Sequence, residues 1–208
     1  MAEEFKCGLI LLAAGASRRM GRPKQLLLVD GRPLLRLVTE QALRAPVSPV
    51  VVVLGAHAEE IRPVLAGLPV HPVSNPAWQE GLGSSVGTGV AAALELAPGL
   101  DGLIILPADQ PDLPALHLEN LITRFRQGGC SLVASWTGDR RVPPVLFGPE
   151  WFQQLRTLTG DTGARELLRG ENPHLASVPL ESNTDLDTPE DYARFTGGKE
   201  SRDKPRSV

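Results

Sequence analysis

Apolar segments of strand length alternate with longer amphipathic segments along most of this 208-residue chain. Residues 7–14, 49–55 and 101–109 are almost entirely apolar, which is typical of strands that are buried on both faces. The segments between them place apolar residues at helical spacing, as residues 32–45 do. Buried strands that alternate with helices indicate a three-layer α/β fold of Rossmann-like character, with a mostly parallel central sheet.

Weaker patterns complete the predicted order of elements. Further strands or extended segments are predicted at residues 69–75, 131–136, 142–147 and 174–180, and further helices at 57–68, 84–97, 114–128, 149–158, 163–170 and 188–195. A serine is expected to cap the helix at 84–97. Residues 1–196 are interpreted as one domain, and the polar residues 197–208 as a disordered tail.

The overall charge argues against partners that are recognised by bulk electrostatics. A formal net charge of −3 offers no long-range attraction to nucleic acid or to a membrane surface. No apolar run has the length of a transmembrane helix, and the N-terminus lacks the basic start of a signal peptide. The two cysteines, Cys7 and Cys130, are interpreted as free thiols rather than a disulfide. We therefore expect a soluble cytoplasmic protein that binds neither nucleic acid nor membrane.

The loop after the first predicted strand combines small residues with cations. Residues 13–15 (Ala-Ala-Gly) carry little side chain, so a ligand can approach the main chain closely. Arg19 and Lys24 follow and add charges that suit phosphate oxygens. Lys24 is followed by Gln25 and not by serine or threonine, which excludes a P-loop. Because parallel sheets bind ligands beyond the carboxyl ends of their strands, we interpret this loop as an anion cradle; the alternative is a flexible basic loop.

Acidic residues follow two of the predicted strands. Asp109 comes directly after the third buried strand and is either a Mg²⁺ ligand or a helix cap. Asp112 is interpreted as a helix cap. Asp187 precedes Thr188 and Pro189 at a helix start, and it becomes a second metal carboxylate if the late strand lies beside the strand that carries Asp109.

Two further loops are rich in glycine and hydroxyl residues. Residues 75–90 lead into a helix, and their amides and hydroxyls suit a polar ligand edge or an anion; the alternative is a flexible loop with a serine cap. Residues 157–168 are equally compatible with a plain connection between helices. The four histidines show no ligand spacing and are interpreted as surface or hydrogen-bonded residues. The tryptophans are interpreted as packing residues, although Trp78 stands within the first of these loops.

Together these segments resemble the MobA/MocA-like nucleotidyltransferases, whose signature is close to L-A-A-G-x-S-x-R-M-G-x-x-K. Residues 11–24, LLAAGASRRMGRPK, fill every signature position. The likeness continues through NPAWQEGLGSSVGTGV, LPADQPDL, TGDTGARELL and DLDTPEDY, and so covers nearly the whole chain except the tail. LAAG in place of LAGG, and the GD-x-GAR element at residues 160–165, are most similar to the MocA branch, the molybdenum cofactor cytidylyltransferases.

The resemblance implies a nucleotidyltransferase fold and a role for individual residues. Arg19 and Lys24 would hold the triphosphate and act with Asp109 in catalysis, and Ser85 would help to read the base. Asp109 is the implied principal ligand of Mg²⁺, and Asp187 matches a second metal carboxylate. The implied nucleotide-binding set is Leu12, Ala13, Ala14, Gly15, Arg19, Lys24, Ser85 and Asp109. Arg18 and Arg22 fall at variable positions of the signature and are interpreted as solvated surface.

The implied activity is transfer of CMP from CTP to the terminal phosphate of Mo-molybdopterin, with Mg²⁺ as cofactor and pyrophosphate as the leaving group. A molybdenum hydroxylase, such as an enzyme of the xanthine dehydrogenase family, is the implied client. Residues 139–147 depart from the family, which more often has glycine near Arg141 or Val142. This segment should face the acceptor, so the resemblance constrains the identity of the acceptor least. Two alternatives stay open: another small-molecule nucleotidyltransferase that uses GTP or a sugar or alcohol phosphate, and a non-catalytic cofactor-binding chaperone.

Overall fold

The computed structural model describes residues 5–161, 167–168, 173–181 and 184–200. Its strands, in chain order, are β1 (Cys7–Ala13), β2 (Leu28–Val29), β3 (Arg32–Pro33), β4 (Val50–Leu54), β5 (His71–Ser74), β6 (Gly102–Pro107), β7 (Leu132–Trp136), β8 (Arg141–Phe147) and β9 (Leu175–Pro179). Its α-helices are α1 (Leu34–Ala42), α2 (Ala58–Ile61), α3 (Leu82–Leu96), α4 (Ala115–Arg126), α5 (Phe152–Arg156) and α6 (Pro189–Glu200).

Seven of the strands form one mixed sheet in the order β5-β4-β1-β6-β8-β7-β9. Strand β8 runs antiparallel to both of its neighbours, and the other pairs are parallel. Strand β1 lies between β4 and β6, with Leu9 opposite Val50 on one side and Ile104 on the other. The predicted α/β fold with a mostly parallel central sheet is confirmed.

The two faces of the sheet are covered by different helices. Leu9 and Leu11 of β1 belong to a buried cluster that includes side chains of α1 and α4. Ile10 belongs to a second buried cluster with side chains of α3 and α5. Successive strand residues point to opposite faces, so burial on both sides requires the continuous apolar runs that the sequence contains.

Helix α3 packs closely against its neighbours at its three glycines, Gly83, Gly87 and Gly89. A side chain at Gly89 would collide with Ile10 and Val53 of the sheet. A methyl group at Gly83 would lie 2.7 Å from the backbone nitrogen of Thr159. The amide of Gly83 donates to the carbonyl oxygen of Gly160 at 2.9 Å. The glycines therefore bring the start of α3 and the loop at residue 160 into contact.

Several predicted boundaries differ from the structure. Strand β3 (Arg32–Pro33) takes the place of the start of the helix predicted at 32–45. Helix α3 begins at Leu82 after Gly81 and has no side-chain cap, so the expected serine cap is wrong. Helix α6 continues to Glu200, past residue 197, where the polar tail was predicted to begin. Residues 201–208 and most of the predicted helix at 163–170 lie outside the described residues.

The loops that follow β1, β4 and β6 meet at the carboxyl edge of the sheet. The amide of Ala108 donates to the carbonyl oxygen of Leu12 at 3.0 Å, and the amide of Ala56 donates to that of Ala14 at 3.0 Å. Backbone hydrogen bonds thus continue past the ends of these strands and hold their loops side by side. Within the part of the chain that the structure describes, no helix combines the length and apolarity needed to cross a membrane.

Candidate active site

A cavity of about 530 Å³ opens at this edge of the sheet. The loop after β1, the start of α3, the residues after β6 and the acidic pair Asp185 and Asp187 all contribute to its lining. Every residue that the sequence assigned to a site lies along it: Leu12, Ala13, Ala14, Gly15, Arg19, Lys24, Ser85, Asp109 and Asp187. The fold therefore joins segments from most of the chain into one candidate site.

The first wall of the cavity is the segment 12–25, which we call the loop wall. It is ordered by Gln25, whose side chain is almost fully buried at 2% exposure. Gln25 Nε2 donates to the carbonyl oxygens of Ala13 at 2.8 Å and Gly15 at 3.0 Å. Ser17 Oγ donates to Gln25 Oε1 at 3.3 Å and accepts from the backbone amide of Lys24 at 3.0 Å. A neutral, local network thus fixes the backbone that a ligand would approach.

Gln25 is a residue that sequence reasoning missed as a site component, because it served only to exclude a P-loop. The sequence does contain a signal: a glutamine directly follows the signature lysine and comes shortly after a loop of small residues. Such a loop exposes carbonyl oxygens that need donors, and a glutamine amide supplies two. The sequence alone does not show which carbonyls it reaches.

The second wall is a group of three carboxylates, Asp109, Asp185 and Asp187, which we call the carboxylate wall. Lys24 Nζ lies 2.6 Å from Asp109 Oδ2 and 2.8 Å from Asp187 Oδ1. Arg19 Nη2 lies 2.8 Å from Asp187 Oδ2. The two cations that the sequence assigned to a triphosphate are therefore paired with the two carboxylates that it assigned to a metal.

These contacts keep the cluster charged across a wide pH range. Burial alone lowers the pKa of Lys24, but the charges and hydrogen bonds of Asp109 and Asp187 outweigh it and raise the pKa above its ordinary value of 10.5. Burial alone raises the pKa of Asp187, but Lys24 and then Arg19 outweigh it and hold the pKa below its ordinary value of 3.8. At neutral pH Lys24 and Asp187 are therefore both charged, as their ion pair requires.

Asp187 reaches the cavity by a route that differs from the expected one. Strand β9 pairs with β7 and is separated from β6 by β7 and β8, so the late strand does not lie beside the strand that carries Asp109. The segment after β9 returns across the sheet edge instead, and the amide of Leu186 donates to the carbonyl oxygen of Asp109 at 3.1 Å. This backbone contact places Asp187 next to Asp109.

Asp187 is not needed as the cap of helix α6. Thr188 Oγ1 accepts from the amide of Asp191 at 3.2 Å, and Asp191 Oδ2 accepts from the amide of Thr188 at 3.0 Å. This reciprocal pair is a capping box. The N-cap of α6 is therefore Thr188, one residue after Asp187. The Asp187 carboxylate lines the cavity instead.

The cap interpretations of the two other acids are also corrected. Helix α4 begins at Ala115 after Pro114 with no side-chain cap, so neither Asp109 nor Asp112 caps it. Asp112 Oδ2 instead accepts a hydrogen bond from Thr184 Oγ1 at 2.8 Å. This contact ties the segment after β6 to the segment that leads to Asp187.

Asp109 and Asp187 have the donor chemistry of a Mg²⁺ site. Asp109 Oδ2 and Asp187 Oδ1 both contact the same atom, Lys24 Nζ, so one cation at that position reaches both carboxylates. Asp109 Oδ1 is buried and has no hydrogen-bond partner among the described residues. Those residues contain no group of three or more acidic, histidine or cysteine side chains arranged for a metal. The set therefore fits Mg²⁺ held jointly with substrate phosphates, which is how this ion is commonly bound.

Ser85 is held by a second buried amide, Asn75, which sequence reasoning also missed. Asn75 Nδ2 donates to Ser85 Oγ at 3.0 Å and to Ser84 Oγ at 2.9 Å, and Asn75 Oδ1 accepts from the amide of Ala77 at 3.0 Å. In the contact with Asn75, Ser85 Oγ is the acceptor, so the hydroxyl proton of Ser85 can be donated to a ligand. Ser85 is thus oriented toward the cavity as a donor.

Gln110 and Asp185 form a further polar pair in the cavity lining. Gln110 is 3% exposed, and its Nε2 donates to Asp185 Oδ1 at 3.1 Å. Burial and then the charge of Asp109 raise the pKa of Asp185. The motif LPADQPDL contained Gln110, but its position beside Asp185 depends on the return of the chain after β9.

The structure also places the other residues that the sequence singled out. Arg18 and Arg22 are exposed, as expected, and Arg18 also lines the cavity. Arg22 lies over the ring of Tyr192, with 5.9 Å between the guanidinium carbon and the ring centroid. Trp78 also lines the cavity, as its place in the loop at 75–90 suggested. The GD-x-GAR element is described only through Asp161, which lines the cavity as well.

Comparisons with known proteins identify the family of this chain. Residues 9–178 match the MobA-like NTP transferase domain. The chain is 34% identical over 196 residues to purine catabolism protein PucB of Bacillus subtilis (strain 168), which covers 88% of this chain and 92% of PucB. It is 35% identical over 197 residues to nicotine blue oxidoreductase of Paenarthrobacter nicotinovorans, which covers 89% and 94% of the two chains.

Among solved structures, Rv0371c from Mycobacterium tuberculosis H37Rv superposes with a TM-score of 0.79 at 25% identity, over 93% of this chain and 99% of that chain. The match of the family model to most of the sequence, and the near full-length similarity to two relatives, lead to one conclusion. This chain belongs to the MobA-like NTP transferase family.

Proposed function

We propose that this chain is a Mg²⁺-dependent cytidylyltransferase, which transfers CMP from CTP to the terminal phosphate of Mo-molybdopterin and releases pyrophosphate. The observation that carries the proposal is the meeting of the loop wall and the carboxylate wall in one cavity, with Lys24 and Arg19 between them. These are the parts that in-line nucleotidyl transfer requires: a backbone surface for the nucleoside, cations for the phosphates and carboxylates for a divalent cation.

The loop wall supports a role in holding the nucleotide. Its carbonyl groups at Ala13 and Gly15 are satisfied by Gln25, so the backbone keeps its shape without a ligand. Nothing lies within 4 Å of the position that a side chain at Gly15 would occupy, so the space above this residue is open. A preordered surface of this kind binds without paying the entropy of ordering a loop.

The preference for cytosine is supported by the methyl group of Ala14. The guanylyl-transferring branch of the family usually has glycine there, and glycine leaves more room for a purine. Ala14 lines the cavity and lies beside Gly55, where a side-chain carbon would lie 2.6 Å from the carbonyl oxygen of Ala14 and 2.8 Å from its methyl group. The added bulk of alanine at this position supports a preference for the smaller pyrimidine base.

The reaction needs little acid or base catalysis from the protein. An oxygen of the acceptor phosphate attacks the α-phosphorus of CTP in line, the bond from that phosphorus to the bridging oxygen breaks, and pyrophosphate leaves. The acceptor phosphate is already an anion at neutral pH, so catalysis consists of positioning and charge stabilisation. Lys24 and Arg19 stabilise the charge on the leaving pyrophosphate. Asp109 and Asp187 would hold Mg²⁺, which would neutralise phosphate charge.

The test is a nucleotide panel with the intact chain. Purified protein, Mg²⁺ and molybdenum cofactor are incubated with CTP, GTP, ATP or UTP, and pyrophosphate release is followed. The nucleotide in the product is then identified after mild acid hydrolysis. We expect release of pyrophosphate with CTP, dependence on the cofactor, and CMP in the hydrolysate. A preference for GTP, or transfer to a sugar or alcohol phosphate alone, would contradict the cytidylyl proposal.

Two further outcomes would point away from nucleotidyl transfer. A protein that binds the molybdenum cofactor and a molybdenum hydroxylase of the xanthine dehydrogenase family, but releases no pyrophosphate with any nucleotide, would act as a maturation chaperone. One relative is named as an oxidoreductase, so redox turnover is measured in parallel. Redox turnover without nucleotide transfer would also contradict the proposal.

A further inference from the structure

Lys24 lies at the centre of the carboxylate wall. Its ammonium nitrogen bridges Asp109 Oδ2 and Asp187 Oδ1, at 2.6 and 2.8 Å. The lysine and Asp109 side chains are only 19% and 15% exposed, so these contacts are largely shielded from water. A backbone hydrogen bond from Leu186 to Asp109 holds the two acidic segments together independently of the lysine.

Two carboxylates that are held this close need a cation between them. Without one, their mutual repulsion would weaken the local structure. A divalent cation on the same two oxygens would stand within a few ångströms of the ammonium group, where two positive charges repel strongly. The lysine and the metal therefore cannot both occupy this position.

We propose that Lys24 serves as the counter-ion of the metal site in the nucleotide-free protein, and that it is exchanged for the divalent cation when the metal–nucleotide complex binds. The inference rests on the proposed function for the identity of the incoming complex. The long aliphatic stem of lysine permits the movement, and the phosphates that arrive with the metal provide the new partner for the ammonium group. The same side chain thus keeps the empty site assembled and contacts phosphate in the filled one.

This exchange has an unusual consequence for binding of the metal alone. In the wild-type protein a free divalent cation must displace an ion-paired lysine that has no phosphate to move to, so its affinity is low. Removal of the lysine charge leaves Asp109 without its cation and Asp187 paired with Arg19 alone, and should increase the affinity. A residue that only contacts phosphate would not affect metal binding in the absence of a nucleotide.

The test is a titration with Mn²⁺ alone, with free Mn²⁺ followed by electron paramagnetic resonance at pH 7.5. We expect Lys24→Met to bind Mn²⁺ at least about tenfold more tightly than the wild type, and Lys24→Arg to resemble the wild type because it keeps the charge. Mg²⁺ added to the Mn²⁺-loaded Lys24→Met variant should displace the ion. Melting curves and near-ultraviolet circular dichroism establish that each variant is folded.

Arg18→Met is the matched control. Arg18 lines the same cavity and forms no ion pair with a carboxylate of the described residues, so its removal changes the net charge of the cavity equally. We expect its Mn²⁺ affinity to change by less than about threefold. Equal tightening in both variants, or no tightening in Lys24→Met, would overturn the proposal. The titration involves no turnover, so its failure is distinct from failure of the nucleotide panel.

Discussion

The two walls of the cavity are built on different physical principles. The loop wall consists of fourteen consecutive positions, 12–25, and is ordered by neutral hydrogen bonds from Gln25 and Ser17. The carboxylate wall combines Asp109 with Asp185 and Asp187 from the far end of the chain, and is held by charge through Lys24 and Arg19. The first wall is held by bonds within itself, whereas the second is held by ion pairs, which the proposed exchange of Lys24 would break and re-form.

The difference matters for function because each part of the proposed reaction needs a different property. A base and a sugar are recognised best by a rigid surface, since ordering it costs nothing at the moment of binding. Triphosphate and metal bring large opposite charges, and they need groups that can re-pair. The following predictions test this contrast, from the largest expected effect to the smallest.

The carboxylate wall should be most sensitive at Asp109. Asp109→Asn removes the negative charge but nearly preserves the shape, and we expect turnover to fall by about a thousandfold or more because metal and Lys24 both lose their main partner. CTP binding should persist in part, because the loop wall is unchanged. Pyrophosphate release and equilibrium binding of CTP measure the two effects.

Asp112→Asn is the matched control for this experiment, since Asp112 bonds Thr184 in the adjoining segment and asparagine can still accept that bond. Its turnover should stay within about tenfold of wild type. Wild-type turnover in Asp109→Asn at saturating Mg²⁺ would remove Asp109 from the metal site.

The loop wall should respond through binding instead of turnover. Gln25→Ala removes two buried hydrogen bonds to Ala13 and Gly15, each worth about 1–1.5 kcal/mol. We therefore expect the KM for CTP to rise by about 30-fold or more, with a smaller change in kcat. Steady-state kinetics at varied CTP check this split.

Thr39→Val is the control, because Thr39 is equally buried and its hydroxyl bonds the carbonyl oxygen of Leu35, within helix α1. It should lower the melting temperature without raising the KM. If the two variants lost stability alike and neither changed the KM, Gln25 would have a purely structural role.

The buried His117 should make the stability of the protein depend on pH, whereas the ion pairs of the carboxylate wall should not. Ser135 Oγ donates to the carbonyl oxygen of Pro144 at 2.8 Å, so His117 Nε2, 2.7 Å from Ser135 Oγ, is the donor in that contact. Burial lowers the pKa of His117 from 6.5 to about 4. The unfolded chain therefore takes up a proton first, and stability is fully present above pH 6.5 and lost progressively as the pH falls toward 4.

The expected loss is about 2 kcal/mol at pH 5 relative to pH 8. His117→Gln should reduce that loss, as measured by urea unfolding at the two pH values. Asp187 and Lys24 should contribute no change in this range, because their pKa values lie below 3.8 and above 10.5. An identical pH dependence in His117→Gln and wild type would rule out this titration.

The smallest effect is expected at Thr188, beside Asp187. Thr188→Ala removes one half of the capping box of α6 and should lower the free energy of unfolding by about 1 kcal/mol. The KM for CTP should stay within about twofold, because the Asp187 side chain contacts Lys24 and Arg19 and not the Thr188 hydroxyl. A large rise in the KM would show that the position of Asp187 depends on the cap.

Much of the loop wall was accessible to sequence reasoning because it is local. Small residues directly after a buried strand, followed by Arg19 and Lys24, already indicated a ligand surface at the strand end. The hydrogen bonds of Gln25 were not accessible, since a glutamine side chain can reach several carbonyl groups and only the turn of the loop selects among them. The expected serine cap of α3 failed for a similar reason: Gly81 and the contact with Gly160 determine where that helix begins.

The sequence by itself determined the α/β class, the order of most elements and the chemical types of the site residues, because buried strands and helices leave periodic patterns that do not depend on distant contacts. Only the tertiary structure decided that Asp187 reaches Asp109 through the segment after β9, that Gln110 meets Asp185, and that Lys24 lies between the carboxylates. Those contacts join residues more than 70 positions apart, and their strength comes from burial and charge that exist only once the chain has closed around the cavity.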